Sequence, residues 1–125
     1  LSDRFFKIYQ ELQHVIKSYT PECVSIESVF YCKNANSAIK LGMVRGVGIL
    51  AARENGLKIV EYSPRRVKQS VVGYGNAHKD QVMQMIKRLL GIKEDLKKED
   101  ISDALALAIC HLHTVGNKLQ EPTYI

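Results

Sequence analysis

An α/β fold is the class that this sequence predicts, because strand-like segments alternate with helical ones along its 125 residues. Residues 22–30 and 57–62 have the composition of short strands, and helical periodicity precedes, separates and follows them. Hydrophobic residues make up 46% and charged residues 25%, which is ordinary for a globular protein. We therefore predict one domain over residues 1–115 and a flexible tail over residues 116–125.

The first two elements are a helix and a strand. Apolar side chains recur at helical spacing over residues 4–19, and Thr20-Pro21 ends the pattern. The strand 22–30 follows at once. Only two strands are visible for four or five helices, so we expect further strands of the sheet to lie upstream of Leu1.

The long helix predicted over residues 35–54 is apolar nearly all round. Such a helix is buried on more than one side, in a core or at a subunit interface. Gly42, Gly46 and Gly48 lie inside it, and each costs about 1 kcal/mol relative to alanine. The close approach of another backbone would explain these glycines.

Three further helices complete the chain. Ser63-Pro64 is a helix start that predicts a short helix to about Val72. Asn76 is expected to cap a helix that runs through about Leu90, with Val82, Ile86, Leu89 and Leu90 facing inward. The last helix follows Asp100, and its periodic residues predict the buried face Ile101, Ala104, Leu105, Ala108, Ile109 and Leu112.

The net charge of +5 is unevenly distributed along the chain. Eleven Lys and Arg stand against three acids between Lys33 and Arg88, and compensating acids gather in residues 94–103. This pattern fits phosphate contacts around an acidic site, although a solvated surface is the commoner meaning of charge alone. No apolar run has membrane-spanning length, and no signal-peptide pattern is present. Three scattered cysteines favour reduced thiols in a cytosolic compartment.

Three carboxylates are candidates for a metal site. Glu27 closes the first strand, where open α/β sheets place their active sites. Asp100 and Asp103 open the last helix, and if they converge with Glu27 the oxygen ligands suit Mg²⁺ or Mn²⁺. The alternatives are a solvent-facing glutamate and a helix-capping pair of aspartates.

Two lysines are candidates for phosphate contacts. Lys79 falls in the first turn of a helix, where the dipole disfavours a cation unless an anion is bound there. Lys68 lies on the preceding short helix with Arg65 and Arg66. Ordinary surface lysines are the alternative. Phe30, close after Glu27, could stack on an unpaired base or could be a core residue.

Several spaced motifs together resemble the RuvC family of bacterial Holliday junction resolvases. The motifs are Ile26-Glu27-x-Val29-Phe30, Lys33-Asn34-x-x-Ser37-x-x-Lys40-Leu41-Gly42, Val71-Val72-Gly73-x-Gly75-x-Ala77-x-Lys79 and Asp100-x-x-Asp103-Ala104-Leu105. The resemblance runs from about residue 1 to His113. It implies an RNase H-like fold with a mixed sheet flanked by helices, a homodimer and metal-dependent cutting of four-way DNA junctions by paired symmetric nicks.

The resemblance also implies roles for individual residues. Glu27, Asp100 and Asp103 would be catalytic carboxylates that hold Mg²⁺ or Mn²⁺, two ions per active site, and Lys68 and Lys79 would stabilise the scissile phosphate. The implied DNA-binding residues are Phe30, Lys33, Asn34, Lys40, Arg65, Lys68, Asn76 and Lys79. It further implies a bacterial cytoplasmic protein that is active in recombination and repair. The implied partner is a branch-migration helicase complex, and no association with a membrane is expected.

One departure from the family pattern is clear. The family begins with a strand that carries a first catalytic aspartate, and no segment of this chain matches it. We therefore expect these 125 residues alone to be inactive. The alternatives are a non-catalytic module that binds junctions or other nucleic acid, and another RNase H-like nuclease.

Overall fold

A computed structural model of the protein describes residues 1–28 and 33–125. Its elements are α1 (Ser2–Tyr19), β1 (Cys23–Glu27), α2 (Ala35–Glu54), β2 (Lys58–Tyr62), α3 (Pro64–Val72), α4 (Lys79–Leu90), α5 (Glu99–Gly116) and β3 (Thr123–Tyr124). The strands form a mixed sheet in the order β1-β2-β3, so the predicted α/β class is confirmed. None of the helices in the described part of the chain is both long enough and apolar enough to cross a membrane.

Strands β1 and β2 run parallel. The backbone N–H of Lys58 donates to the carbonyl of Glu22 at one end, and that of Ser28 donates to the carbonyl of Tyr62 at the other. A parallel pair places the carboxyl ends of both strands at the same edge of the sheet. Glu27 and the start of α3 therefore lie at one edge.

The chain divides into two compact units. The first contains α1 and α2 together with residues 23–24 and 58–59. The second contains Ser25–Ser28 and Val60–Thr123, and therefore α3, α4 and α5.

In the first unit, helix α1 packs against α2. Tyr9 and Gln13 on α1 both donate hydrogen bonds to the carboxylate of Glu54 at the end of α2, the Gln13 bond being 2.8 Å long. The bond to this carboxylate raises the pKa of the Tyr9 hydroxyl. Helix α1 ends where the sequence predicts, at Thr20, which adopts a left-handed conformation with φ of 44°.

Helix α2 leaves most of its large apolar side chains uncovered. Ile39 and Leu50 expose 57% and 63% of their surface, and the buried residues of the helix are Ala51 and Ala52. Within the part of the chain that the structure describes, a Cβ atom built on Gly46 would meet no atom within 4 Å beyond the adjoining backbone of its own helix. The prediction of a helix buried in the core is therefore wrong for this chain, and the alternative of a subunit interface stays a prediction.

In the second unit, helix α3 begins as the sequence predicts. The hydroxyl of Ser63 accepts a hydrogen bond of 3.2 Å from the backbone N–H of Arg66, and Pro64 occupies the first helical position. The helix ends at Gly73, whose φ of 105° is in the left-handed region that favours glycine.

The start of α4 differs from the prediction. His78, not Asn76, is its N-cap residue, and the backbone N–H of His78 donates to the Gln81 side chain at 3.0 Å. Asn76 instead accepts a hydrogen bond of 3.3 Å from Arg65 on α3. Val82 and Ile86 are buried as predicted, whereas Leu89 and Leu90, also predicted to face inward, expose 48% and 47% of their surface.

The buried face of α5 also differs from the predicted one. Of the six periodic residues, Ile109 is buried, whereas Ile101 and Leu112 are exposed by 46% and 66%. The residues that are buried are Ser102, Ala106, Ile109, Cys110 and Thr114. Thr114 can be buried because its hydroxyl donates to the carbonyl of Cys110 at 2.7 Å.

Two of the three cysteines lie in the described residues, and both are free thiols. Burial raises the pKa of Cys23 and of Cys110. Both thiols are therefore less reactive than an exposed cysteine. The last residues of the chain contain β3, which lies beside β2 at the edge of the sheet.

Candidate functional site

A pocket of about 240 Å³ opens in the second unit. Its walls come from the end of β1, from α3 and from the first turns of α4 and α5. Apolar side chains form part of the lining (Pro64, Val67, Val82, Met83 and Ala106), and polar and charged ones form the rest (Glu27, Lys68, Lys79, Asp80, Glu99, Ser102 and Asp103). Four of the predicted site residues, Glu27, Lys68, Lys79 and Asp103, therefore line one cavity.

Glu27 is close enough to Asp103 for the charge of Asp103 to affect its ionisation. Burial raises the pKa of Glu27 first, and the negative charge of Asp103 raises it further. Glu27 is nevertheless exposed as a residue, so its carboxylate is only partly desolvated. Two carboxylates that repel each other at a cavity wall attract a cation.

Lys68 and Lys79 supply the positive charge in the same cavity. Both lysines oppose the rise in the pKa of Glu27. Lys79 lies in the first turn of α4, as predicted, and is the first residue of that helix. Its ammonium group donates a hydrogen bond of 3.0 Å to Glu99, the first residue of α5. That bond is the main reason why the pKa of Lys79 is raised.

Asp100 is not among the side chains that line the pocket. It lies in the first turn of α5 and adds to the rise in the pKa of Lys79, after the larger contributions of Glu99 and Asp103. Lys98, not Asp100, is the N-cap residue of the helix. The capping alternative is therefore wrong for Asp100, and its role as a metal ligand stays a prediction.

Arg65 and Asn76 form a second polar pair in this unit. The guanidinium of Arg65 donates to the Asn76 side chain, and the Arg65 side chain lies against the backbone of Gly75. A Cβ atom on Gly75 would fall 2.5 Å from the Cγ atom of Arg65. The glycine therefore allows Arg65 to lie flat over the segment that leads into α4.

The remaining predicted DNA-binding residues belong to the first unit or lie outside the described residues. Lys33, Asn34 and Lys40 are exposed, at or near the start of α2. The side chain of Asn34 caps that helix by accepting a hydrogen bond of 2.9 Å from the N–H of Asn36. Phe30 lies outside the described residues.

The donor atoms on the pocket wall suit a divalent cation in part. Mg²⁺ commonly binds through one or two carboxylates and completes its coordination with water and substrate phosphates. Glu27 and Asp103 supply two such carboxylates. Within residues 1–28 and 33–125, no cluster of three or more His, Cys, Asp or Glu side chains is positioned to hold a metal ion.

Sequence reasoning missed Glu99, Asp80, Ser102 and Met83 as lining residues. Glu99 adjoins Asp100 and begins the same helix. Its place as an acid in a first helical turn is the one sequence feature from which it could have been predicted. Ser102 and Met83 carry no pattern that distinguishes them from packing residues.

The sheet, its flanking helices and the pocket at the strand ends place the chain in the RNase H-like class of α/β proteins. A family model described as crossover junction endodeoxyribonuclease RuvC matches residues 1–111, and the chain belongs to this family. The resemblance found in the sequence motifs is thereby confirmed.

Individual relatives match most of the chain. A crossover junction endodeoxyribonuclease RuvC of Caldanaerobacter subterraneus subsp. tengcongensis is 50% identical over 121 residues, which cover 97% of this chain and 73% of the relative. One of Koribacter versatilis is 53% identical over 114 residues, 91% of this chain and 69% of the relative.

Solved structures from Thermus thermophilus have the same fold. Its RuvC superposes with a TM-score of 0.88 at 30% identity, over 98% of this chain and 73% of the other. The structure of the same protein in complex with Holliday junction substrate superposes with a TM-score of 0.92, at the same identity and coverage.

Proposed function

We propose that this protein is a Holliday junction resolvase, an endonuclease that cuts four-way DNA junctions by paired, symmetric nicks in recombination and repair. The observation that carries the proposal is the pocket in which Glu27 and Asp103 face Lys68 and Lys79. The relatives named above are crossover junction endodeoxyribonucleases, and the Thermus thermophilus protein binds Holliday junction substrate.

The carboxylates would hold the metal ion that the reaction needs. Glu27 and Asp103 are the ligands on the pocket wall, and Asp100 would join them from the same turn of α5. Mg²⁺ is the expected ion, with Mn²⁺ as a substitute and two ions in each active site. When bound, such ions activate water and stabilise the leaving oxygen of a phosphodiester.

The lysines would bind the DNA backbone beside this metal site. Lys68 on α3 and Lys79 at the start of α4 both carry positive charge into the pocket. The N-terminus of α4 adds exposed backbone N–H groups that favour an anion. A phosphate in the pocket would therefore meet two ammonium groups and a helix N-terminus, which together stabilise negative charge on its oxygens.

Basic residues outside the pocket would extend the DNA contact. Arg65 and Asn76 form a polar pair at the start of α3 and before α4, and Lys33, Asn34 and Lys40 are exposed in the first unit. Phe30 would stack on a base at the opened crossover. Such contacts make binding strongly dependent on salt.

Two copies of the chain would associate through helix α2. Ile39, Met43, Gly46 and Leu50 follow the spacing i, i+4, i+7 and i+11, which places them on one helix face. All four are exposed, and the space around Gly46 would admit a second helix. A homodimer would present two pockets to a junction, as paired nicking requires. We expect it to act in the bacterial cytoplasm with a branch-migration helicase complex.

The test is cleavage of synthetic four-way junctions by the full-length protein with Mg²⁺. Glu27→Gln should abolish cutting while sparing junction binding, because the amide keeps the size of the side chain and removes its charge. Glu11→Gln, an exposed glutamate on α1, is the matched control and should cut normally. Cutting by the Glu27→Gln protein at the wild-type rate would overturn the proposal. Wild-type binding without any metal-dependent cutting would favour a binding module.

A further inference from the structure

Lys79 is already bonded to a carboxylate that the metal site does not use. Its ammonium nitrogen lies 3.0 Å from Oε2 of Glu99, and both side chains line the pocket. Each residue is the first of its helix, Lys79 of α4 and Glu99 of α5. The two helix starts therefore meet through this ion pair.

The helix dipole acts in opposite ways on the two members of this pair. The positive end of a helix dipole favours the carboxylate of Glu99 and disfavours the ammonium of Lys79. An anion beside Lys79 relieves this disadvantage, and Glu99 is the anion that the chain itself provides. The raised pKa of Lys79 has the same origin, with its hydrogen bond to Glu99 as the largest cause.

The Lys79–Glu99 ion pair is accessible enough for another anion to replace Glu99. The side chains of Lys79 and Glu99 are 68% and 70% exposed, so water and dissolved anions reach both. Exposed pairs of this kind contribute little to stability. A phosphodiester of DNA carries one negative charge shared by two oxygens, as a carboxylate does, and DNA presents many of them close together, so a phosphate can replace Glu99 on Lys79.

We propose that Glu99 is a positioning residue that occupies Lys79 in the free protein and is displaced by a DNA phosphate when the junction binds. This inference rests on the function proposed above. Glu99 thus occupies the position on Lys79 that the phosphate will take, and it competes with DNA for the ammonium group.

The experiment compares junction binding and cleavage by full-length variants at low ionic strength. Glu99→Gln should bind a synthetic four-way junction about two- to fivefold more tightly, the range that an exposed ion pair is worth. The junction concentration for half-maximal cleavage with Mg²⁺ should fall by a similar factor.

Asp95→Asn is the matched control for net charge. Asp95 accepts a hydrogen bond of 3.1 Å from Lys87, is 97% exposed and is not part of the pocket lining. Its substitution removes the same charge from a similar pair, and it should change affinity less than Glu99→Gln does. In a Lys79→Gln background, Glu99→Gln should lose its effect because its competitor role acts through Lys79.

Three results would overturn the inference: weaker binding by Glu99→Gln, a gain no larger than that of Asp95→Asn, or a full gain in the Lys79→Gln background. The proposed function fails separately, if the wild-type protein binds four-way junctions no better than linear duplexes. Thermal unfolding of each variant checks that the fold is kept.

Discussion

Asp103 on α5 places its negative charge near Glu27, which closes β1, and both carboxylates line the same pocket. Burial, followed by the charge of Asp103, raises the pKa of Glu27 above its ordinary value of 4.5. The ionised carboxylate is therefore less favourable in the folded protein than in the unfolded chain.

We predict that Glu27→Gln stabilises the protein at neutral pH when divalent ions are absent. The folded-state pKa is the higher one, so the destabilisation by Glu27 is fully present above that pKa and disappears below 4.5, where the residue is protonated in both states. The difference in melting temperature between variant and wild type should accordingly shrink as the pH falls. Calorimetry between about pH 4 and 8, the range that covers ordinary and raised carboxyl pKa values, measures this difference.

Glu11→Gln serves as the comparison, because Glu11 is exposed on α1 in the first unit. A Glu27→Gln protein that is no more stable than Glu11→Gln at neutral pH would show that burial and Asp103 do not destabilise the ionised carboxylate of Glu27.

Divalent ions should reverse the order of stability. A ligand that binds the folded state raises its stability in proportion to the logarithm of ligand concentration. Millimolar Mg²⁺ or Mn²⁺ should therefore raise the melting temperature of the wild-type protein, and much less that of Glu27→Gln or Asp103→Asn. Asp95→Asn, whose carboxylate is outside the pocket, should respond as the wild type does. Equal responses in all four proteins would place the ion elsewhere.

Gly46→Ala should separate the stability of α2 from its role in association. Alanine in an exposed helix interior is favoured over glycine by about 1 kcal/mol. Apart from the adjoining backbone of α2, no atom of the described residues lies within 4 Å of the new Cβ, so the folded subunit should tolerate it. In a dimer packed through this face, the methyl group would hold the two helices apart. We therefore expect weaker dimerisation by sedimentation, together with unimpaired unfolding stability of the subunit.

Gly48→Ala is the control within the same helix. Gly48 also has open space around its Cβ position, but it lies two residues on and so faces roughly the opposite side of α2. It should keep normal dimerisation. If Gly46→Ala dimerises as tightly as Gly48→Ala, the subunits associate through another surface.

Gly75→Ala should act on DNA binding through Arg65. The new Cβ would fall 2.5 Å from the Cγ atom of Arg65, so that side chain must shift, and we expect its hydrogen bond to Asn76 to be lost. We expect a loss of junction affinity similar to that of Arg65→Gln, measured by fluorescence anisotropy. Gly116→Ala, where a Cβ meets nothing within 4 Å, should bind normally. Normal junction binding by Gly75→Ala would contradict the proposed contact between Arg65 and DNA.

The parts of the fold that follow from local chemistry were predicted correctly from the sequence. The Ser63 cap, the end of α1 at Thr20 and the start of α2 at Ala35 depend on residues within one helical turn. The position of Lys79 in a first helical turn was also correct. Such features need no knowledge of distant contacts.

Features that depend on distant neighbours were predicted less well. Asparagine is a favoured N-cap residue, but the side chain of Asn76 accepts a hydrogen bond from Arg65 on another helix. The buried face of α5 includes Ser102 and Thr114, which a search for apolar periodicity passes over. The pairing of Lys79 with Glu99 links two helix starts that are 20 residues apart in the sequence, so no spacing in the sequence reveals it.

Every side chain that lines the pocket belongs to the second unit, whereas the uncovered face of α2 belongs to the first. A substitution that disables cutting therefore leaves the residues proposed for self-association untouched. Mixed dimers with one wild-type and one Glu27→Gln subunit could then be assembled, and each would be able to break one strand only. The amount of singly nicked junction that accumulates would measure the time between the first and the second strand cleavage.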